Sequence, residues 1–160
     1  MPITRAYIAL GSNLNDPFLQ VQQAISSLKA LSQTSLVSTS SLYRNPPLGP
    51  QDQPEFINAV AAIDTSLAPL ELLAELKKIE VQQGKVKVRH WGERIIDLDL
   101  ILYGDEIINN PDLIVPHPGL KQRNFVLVPL AEIAPDLILP DGEAVQACLQ
   151  KVSVETVLKI

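Results

Sequence analysis

The stretch HWGERIIDLDLILYG, residues 90–104, begins polar and basic and then runs into nine residues dominated by Ile and Leu. The apolar run with a closing glycine predicts a strand over 95–103. Successive strand side chains alternate faces, so Ile96, Leu98, Leu100 and Leu102 are expected in the core, and Asp97 and Asp99 on the opposite face. Their Cα atoms would lie roughly 6.5–7 Å apart. Two like charges that close repel one another unless a cation sits beside them. Hard divalent ions such as Mg²⁺ take carboxylate oxygens and complete their shell with substrate phosphates. A solvated strand face carries Asp-x-Asp equally well, so this spacing alone leaves both readings open.

Working outward, RAYIALG (5–11) reads as a buried strand ending in the turn Gly11-Ser12-Asn13. A helix is expected from Asp16, with Asp16 as cap, Pro17 at the first position, and Phe18, Val21, Ile25 and Leu28 at helical spacing. SLVSTSSLYR (35–44) and FINAVAAIDTS (56–66) read as further strands. Between them NPPLGPQDQP (45–54) holds four prolines and a glycine, which neither a helix nor a central strand tolerates. A second helix opens at Pro69, buries Leu72, Leu73, Leu76 and Ile79, and stops at Gly84. GKVKVRHWGER (84–94) reads as a mobile basic loop. Gly104-Asp105 is expected to turn the strand into EIIN, and two more helices are expected near 126–134 and 142–151. The mixture predicts one α+β layered domain over residues 1–160.

The composition is that of an ordinary globular chain, 46% apolar and 19% charged over 160 residues. A net charge of −5 argues against long nucleic acid as a partner. The lone Cys148 rules out an internal disulfide and is expected in the core. No stretch approaches the roughly 20 apolar residues of a membrane helix, and the N-terminus lacks the pattern of a secretory signal. A soluble, cytoplasmic chain is the expectation.

Six of the thirteen Lys and Arg fall between positions 85 and 123: Lys85, Lys87, Arg89, Arg94, Lys121 and Arg123. Beside a Mg²⁺ site such residues would clamp a polyphosphate. A solvated basic loop explains Lys87 and Arg89 as well, but explains Arg94, three residues before Asp97, less readily. His117, in VPHPGLKQRNF, has a donor for a phosphate oxygen, although a structural turn histidine accounts for it equally. His90 has no evident partner, and two His with one Cys do not make a zinc site. Trp91 stands in a polar loop where packing would not place it. Phe56 and Phe125 can either sandwich a flat heterocycle or fill the core. Neither a P-loop nor a dinucleotide fingerprint is present, and no nucleophile elbow occurs.

Four blocks, ALGSN (9–13), SLYRNPPLGPQDQPEFINA (41–59), HWGERIIDLDLILYG (90–104) and VPHPGLKQRNFVLVPLAEIAP (115–135), resemble in order and spacing the 6-hydroxymethyl-7,8-dihydropterin pyrophosphokinases of folate biosynthesis. The resemblance spans roughly residues 6–143. It implies a ferredoxin-like α/β sandwich, a largely antiparallel sheet with helices packed on it and mobile loops. It further implies transfer of the pyrophosphoryl group of ATP to the pterin's hydroxymethyl oxygen, releasing AMP, by a monomer using two Mg²⁺ ions. By the resemblance Asp97 and Asp99 are the metal ligands, and catalysis also involves Arg94 and Lys85. Lys85, Arg94, Leu100, His117 and Arg123 would bind ATP. Asn45, Pro46, Leu48, Phe56, Asn58, Trp91 and Phe125 would bind the pterin, Phe56 and Phe125 as the stacking pair and Trp91 as a lid. Lys85 stands where some relatives have Arg, Phe56 where Tyr occurs, and Glu93 where Pro is common. Outside the resemblance, the residues also suit a Mg²⁺-dependent nucleotidyl- or glycosyl-transferase, a non-catalytic nucleotide-binding module, or an interaction domain with an acidic strand face.

Overall fold

The computed structural model describes residues 2–47, 49–84 and 95–160. Eight strands and four α-helices are found among them, with one short 3₁₀ turn. In chain order these are β1 (Thr4–Ser12), α1 (Pro17–Lys29), β2 (Thr34–Thr39), β3 (Tyr43–Asn45), β4 (Phe56–Thr65), α2 (Pro69–Gln82) and β5 (Asp97–Tyr103). The hairpin β6 (Ile108–Asn110) and β7 (Leu113–Val115), helices α3 (Asn124–Ile133) and α4 (Val145–Gln150), and β8 (Leu158–Lys159) complete the order.

The main sheet runs β5-β1-β4-β3-β8, with β2 beside β3 on the same edge of β4. Its pairings are antiparallel. The two βαβ units, β1-α1-β2 and β4-α2-β5, are interleaved, so that each places one antiparallel strand of the other between its own two. That is the ferredoxin-like arrangement. The helix starts follow the residues expected to make them. Asp16 caps α1, accepting the Leu19 N–H at 3.5 Å ahead of Pro17. Pro69 opens α2, and the Glu71 carboxylate takes the Ala68 N–H at 2.9 Å. Gly84, at φ +87°, follows the end of α2.

Both faces of the sheet are covered. On one, Ile8, Leu10, Ala61 and Ile63 pack with Val21 and Leu28 of α1 and Leu72 and Leu76 of α2. On the other, Tyr7, Val60 and Ala62 pack with Leu127 and Leu130 of α3 and Val145 and Cys148 of α4. Cys148 is buried, as expected.

The strand expected over 35–44 is two strands. Ser40, 6% exposed, lies between them; its N–H donates to the Val60 carbonyl and its Oγ accepts the Val60 N–H, each at 2.9 Å. A hydroxyl thus replaces a ladder carbonyl where the strand breaks. Leu102 is a second correction. The β1–β5 register shifts between Tyr7 and Ile8, which pair with Leu102 and Leu100 and leave Ile101 as an extra residue. A bulge changes the alternation: Leu98 and Leu100 face α1 and α2, while Ile101 and Leu102 pack on the α3 side. The segment after Gly104 joins β7 in a separate two-stranded sheet rather than returning along β5.

Candidate active site

The antiparallel sheet brings four segment ends together. Gly11, near the end of β1, is paired with Asp97 of β5 on one side and Asn58 of β4 on the other. Asn58 is in turn paired with Tyr43 of β3. Two residues along, Ala9 lies between Asp99 and Val60. Directly paired residues share a face, so Asp97, Asp99, Asn58 and Asn45 all project on the α3 side, at the end of the sheet.

On the pterin side of the resemblance, the Asn58 amide nitrogen donates to Asn45 Oδ1, and Asn45 Nδ2 donates to the Pro46 carbonyl at 3.0 Å. Asn45 is 4% exposed and pairs with Phe56 across the strands. Phe56 and Phe125 are both half-buried, Phe125 against the α3–α4 core. The proline loop is held by its glutamines. Gln51 Nε2 donates to the carbonyls of Pro47 and Gly49, and Gln53 Nε2 to that of Pro50, while Asn13 Nδ2 reaches Gln53 Oε1 and the Pro54 carbonyl. In so proline-rich a segment, side-chain amides supply hydrogen bonds that prolines cannot.

On the phosphate side, the chain from β7 to α3 carries His117 and Arg123 over the aspartates. Arg123 Nη1 lies 3.9 Å from Asp99 Oδ2, and its guanidinium sits 5.8 Å from the Phe125 ring centroid. The backbone is anchored to the bulge, His117 N–H donating to the Ile101 carbonyl at 3.1 Å. His117 Nδ1 accepts the Gly119 N–H at 3.0 Å. An accepting Nδ1 leaves the proton on Nε2, so the neutral ring presents a donor. Burial lowers the His117 pKa; Asp99 opposes that shift, and the positive Arg123 adds to it.

Two glycines shape these contacts: Gly119, not singled out in the sequence, and Gly11, expected to begin a turn but paired on both sides within β1. A Cβ on Gly11 would meet Asn58 Oδ1 at 2.7 Å, and one on Gly119 would meet Arg123 Nε at 2.7 Å. Asn13 and Gln53 were also missed; buried amides in a polar loop leave no periodic signal. Leu100, expected to bind ATP, has its side chain 3% exposed in the core opposite the aspartates. Its side chain thus faces away from His117 and Arg123. Lys121 leaves the basic cluster as well, being bound to Asp141 and, at 2.8 Å, to Glu143. Leu48, Lys85, Lys87, Arg89, His90, Trp91, Glu93 and Arg94 lie outside the described residues.

A model of the family 7,8-dihydro-6-hydroxymethylpterin-pyrophosphokinase matches residues 7–135. The chain belongs to this pyrophosphokinase family. The 2-amino-4-hydroxy-6-hydroxymethyldihydropteridine pyrophosphokinase of Haemophilus influenzae is 52% identical over 155 residues, 97% of each chain. That of Pseudomonas aeruginosa is 51% identical over 150 residues, 91% of this chain and 93% of that one. Among solved structures, the Plasmodium falciparum HPPK-DHPS crystallised with SDX-DHP superposes with a TM-score of 0.75 over 98% of this chain. This chain spans only 47% of that one, and at 14% identity the likeness speaks to the pyrophosphokinase fold alone. Among the described residues no helix is long and apolar enough to cross a membrane.

Proposed function

We propose that this end of the sheet is where the pyrophosphokinase moves the β,γ-pyrophosphoryl group of ATP onto 6-hydroxymethyl-7,8-dihydropterin, a step of folate synthesis. A bond forms between the hydroxymethyl oxygen and the β-phosphorus. The bond from that phosphorus to the α–β bridging oxygen breaks, AMP leaves with the bridging oxygen, and the hydroxyl gives up its proton. The observation that supports the reading is the row Asp97–Gly11–Asn58, which puts a carboxylate and an amide on one face with only a glycine between them, while Arg123 lies beside Asp99 and the chain at His117 is tied to Ile101.

Such a transfer asks for positioning and charge neutralisation more than for a covalent nucleophile. Asn58 and Asn45, already engaged with one another, hold the heterocycle's polar edge, and Phe56 and Phe125 supply its flat walls. His117 donates from Nε2 to a phosphate oxygen, and Arg123 adds a fixed positive charge beside Asp99. Asp97 and Asp99 are two carboxylates on one face, the donor set that Mg²⁺ takes when phosphates complete its shell. They would hold Mg²⁺, two ions in the full complex. Bound there, Mg²⁺ would neutralise the triphosphate and make the incoming hydroxyl more acidic. By the family resemblance, Lys85 and Arg94 would act on the phosphates, Trp91 would serve as the lid and Leu48 would take part in pterin binding.

A monomer in the cytoplasm is the form in which we propose that the enzyme works. The test is product analysis with ATP, Mg²⁺ and 6-hydroxymethyl-7,8-dihydropterin. AMP and the pterin diphosphate in equal amounts are expected, with turnover lost on chelation of the metal. ADP as the product, or full turnover in excess chelator, would refute the reading.

A further inference from the structure

On the side of β5 away from β1, beside the peptide that joins Asp97 to Leu98, the structure holds a buried carboxylate. Glu80 belongs to α2, which packs along β5, and is 8% exposed, beside Leu76 and Ile79 in the core. Its Oε2 accepts the backbone N–H of Leu98 at 2.7 Å. β5 is the edge strand of the sheet, with β1 on its other side. Antiparallel strands turn alternate residues' backbone groups outward. Asp97 and Asp99 pair with Gly11 and Ala9, and the N–H of the residue between them meets Glu80. A buried carboxylate is costly unless it is hydrogen-bonded or paired, and one of the bonds Glu80 makes is to this N–H.

We propose that Glu80 is a positioning residue for the Asp97–Asp99 pair. Its carboxylate fixes the plane of the peptide joining Asp97 to Leu98. Because the strand bulges at Ile101, the segment 97–100 is a short regular span that begins at the first aspartate and ends at an irregularity. Without Glu80 the first of its peptides would lack a partner on the edge side, and the spacing of the two carboxylates would loosen. Groups that orient metal ligands from behind are commonly worth 10- to 100-fold in metal affinity. This proposal rests on the reading that Asp97 and Asp99 hold the metal.

The experiment uses Mn²⁺ as probe, followed by electron paramagnetic resonance, with an ATP analogue carrying a methylene bridge between the α- and β-phosphorus so that no turnover occurs. Two conservative variants separate reach from charge. Glu80→Gln keeps an oxygen at the right distance and loses the charge; Glu80→Asp keeps the charge and falls one methylene short. Expected is Mn²⁺ affinity within about threefold of the parent for E80Q, and lower by about 10- to 100-fold for E80D, with melting curves showing both folded. Either variant alone can overturn the proposal: tenfold loss in folded E80Q, or parental affinity in folded E80D. Asp97→Ala and Asp99→Ala serve as controls on the underlying reading. If they bind Mn²⁺ as the parent does, the metal assignment itself fails, whatever Glu80 does.

Discussion

Gly11 and Gly119 each leave a side chain's width open beside a polar group, and each sits where a methyl would displace that group. Gly11→Ala would drive Asn58 Oδ1 from its place 2.7 Å from the new carbon, and Asn58 cannot turn without losing Asn45. The expected outcome is a pterin KM raised by about tenfold, equivalent to about 1.4 kcal/mol, with the KM for ATP unchanged; steady-state kinetics against each substrate in turn decide it. His117 makes a second prediction at this scale. Burial first, and Arg123 after it, hold its pKa below the ordinary 6.5 in spite of Asp99. The unfolded chain therefore binds the proton more readily, so His117's contribution to stability is present above 6.5 and lost as pH falls through its lower folded value. A proton NMR titration of the substrate-free protein should show a His117 midpoint below 6.5; a midpoint at or above that value would contradict the geometry described.

At the scale of elements, the broken edge β2–β3 is tied to α3 by one carboxylate. Glu132 accepts from Ser41 N–H at 3.0 Å, Ser41 Oγ at 2.9 Å and Tyr43 Oη at 2.5 Å. Burial pushes the Glu132 pKa up, but these three donors and Lys159 more than offset it, and the net shift is downward. A group with a depressed folded pKa stabilises the native state above its unfolded value and ceases to do so as pH falls through the folded one. Glu132→Gln should therefore cost roughly 1–2 kcal/mol at pH 7, a discounted sum for partly exposed charge-assisted bonds. The gap between parent and variant should close as pH drops below about 4.5, the usual glutamate range. Urea titrations at several pH values would show it, and a gap independent of pH would mean the carboxylate's charge is not what fastens the edge.

For the whole molecule, one sheet serves two cores. Leu76 of α2 packs on one face and Leu127 of α3 on the other, and both are fully buried. Truncating either to Ala should remove about 2–5 kcal/mol. Because β1 and β4 contribute residues to both faces, the two losses should appear in one cooperative transition over the whole chain. Circular dichroism during urea unfolding checks this: a variant that splits the curve in two would show that residues 1–160 are not a single folding unit.

Much of this was legible in the chain itself. Helix starts at Asp16-Pro17 and Pro69, the strand under Asp97 and Asp99, and the burial of Val21, Leu28, Leu72 and Leu76 follow from local periodicity and capping, which act over a few residues. The four blocks carried the family because their residues are spaced along the sequence as the site requires. Tertiary structure decided the rest. The split of 34–45 depends on Ser40 finding Val60, and the place of Leu102 on a bulge opposite Tyr7. Lys121 is spoken for by acids twenty residues away, and Glu80 meets Leu98 only because α2 lies along β5. Each is a contact between segments distant in sequence, whose energy exists only once the sheet has set its register; no local pattern of residue types encodes it.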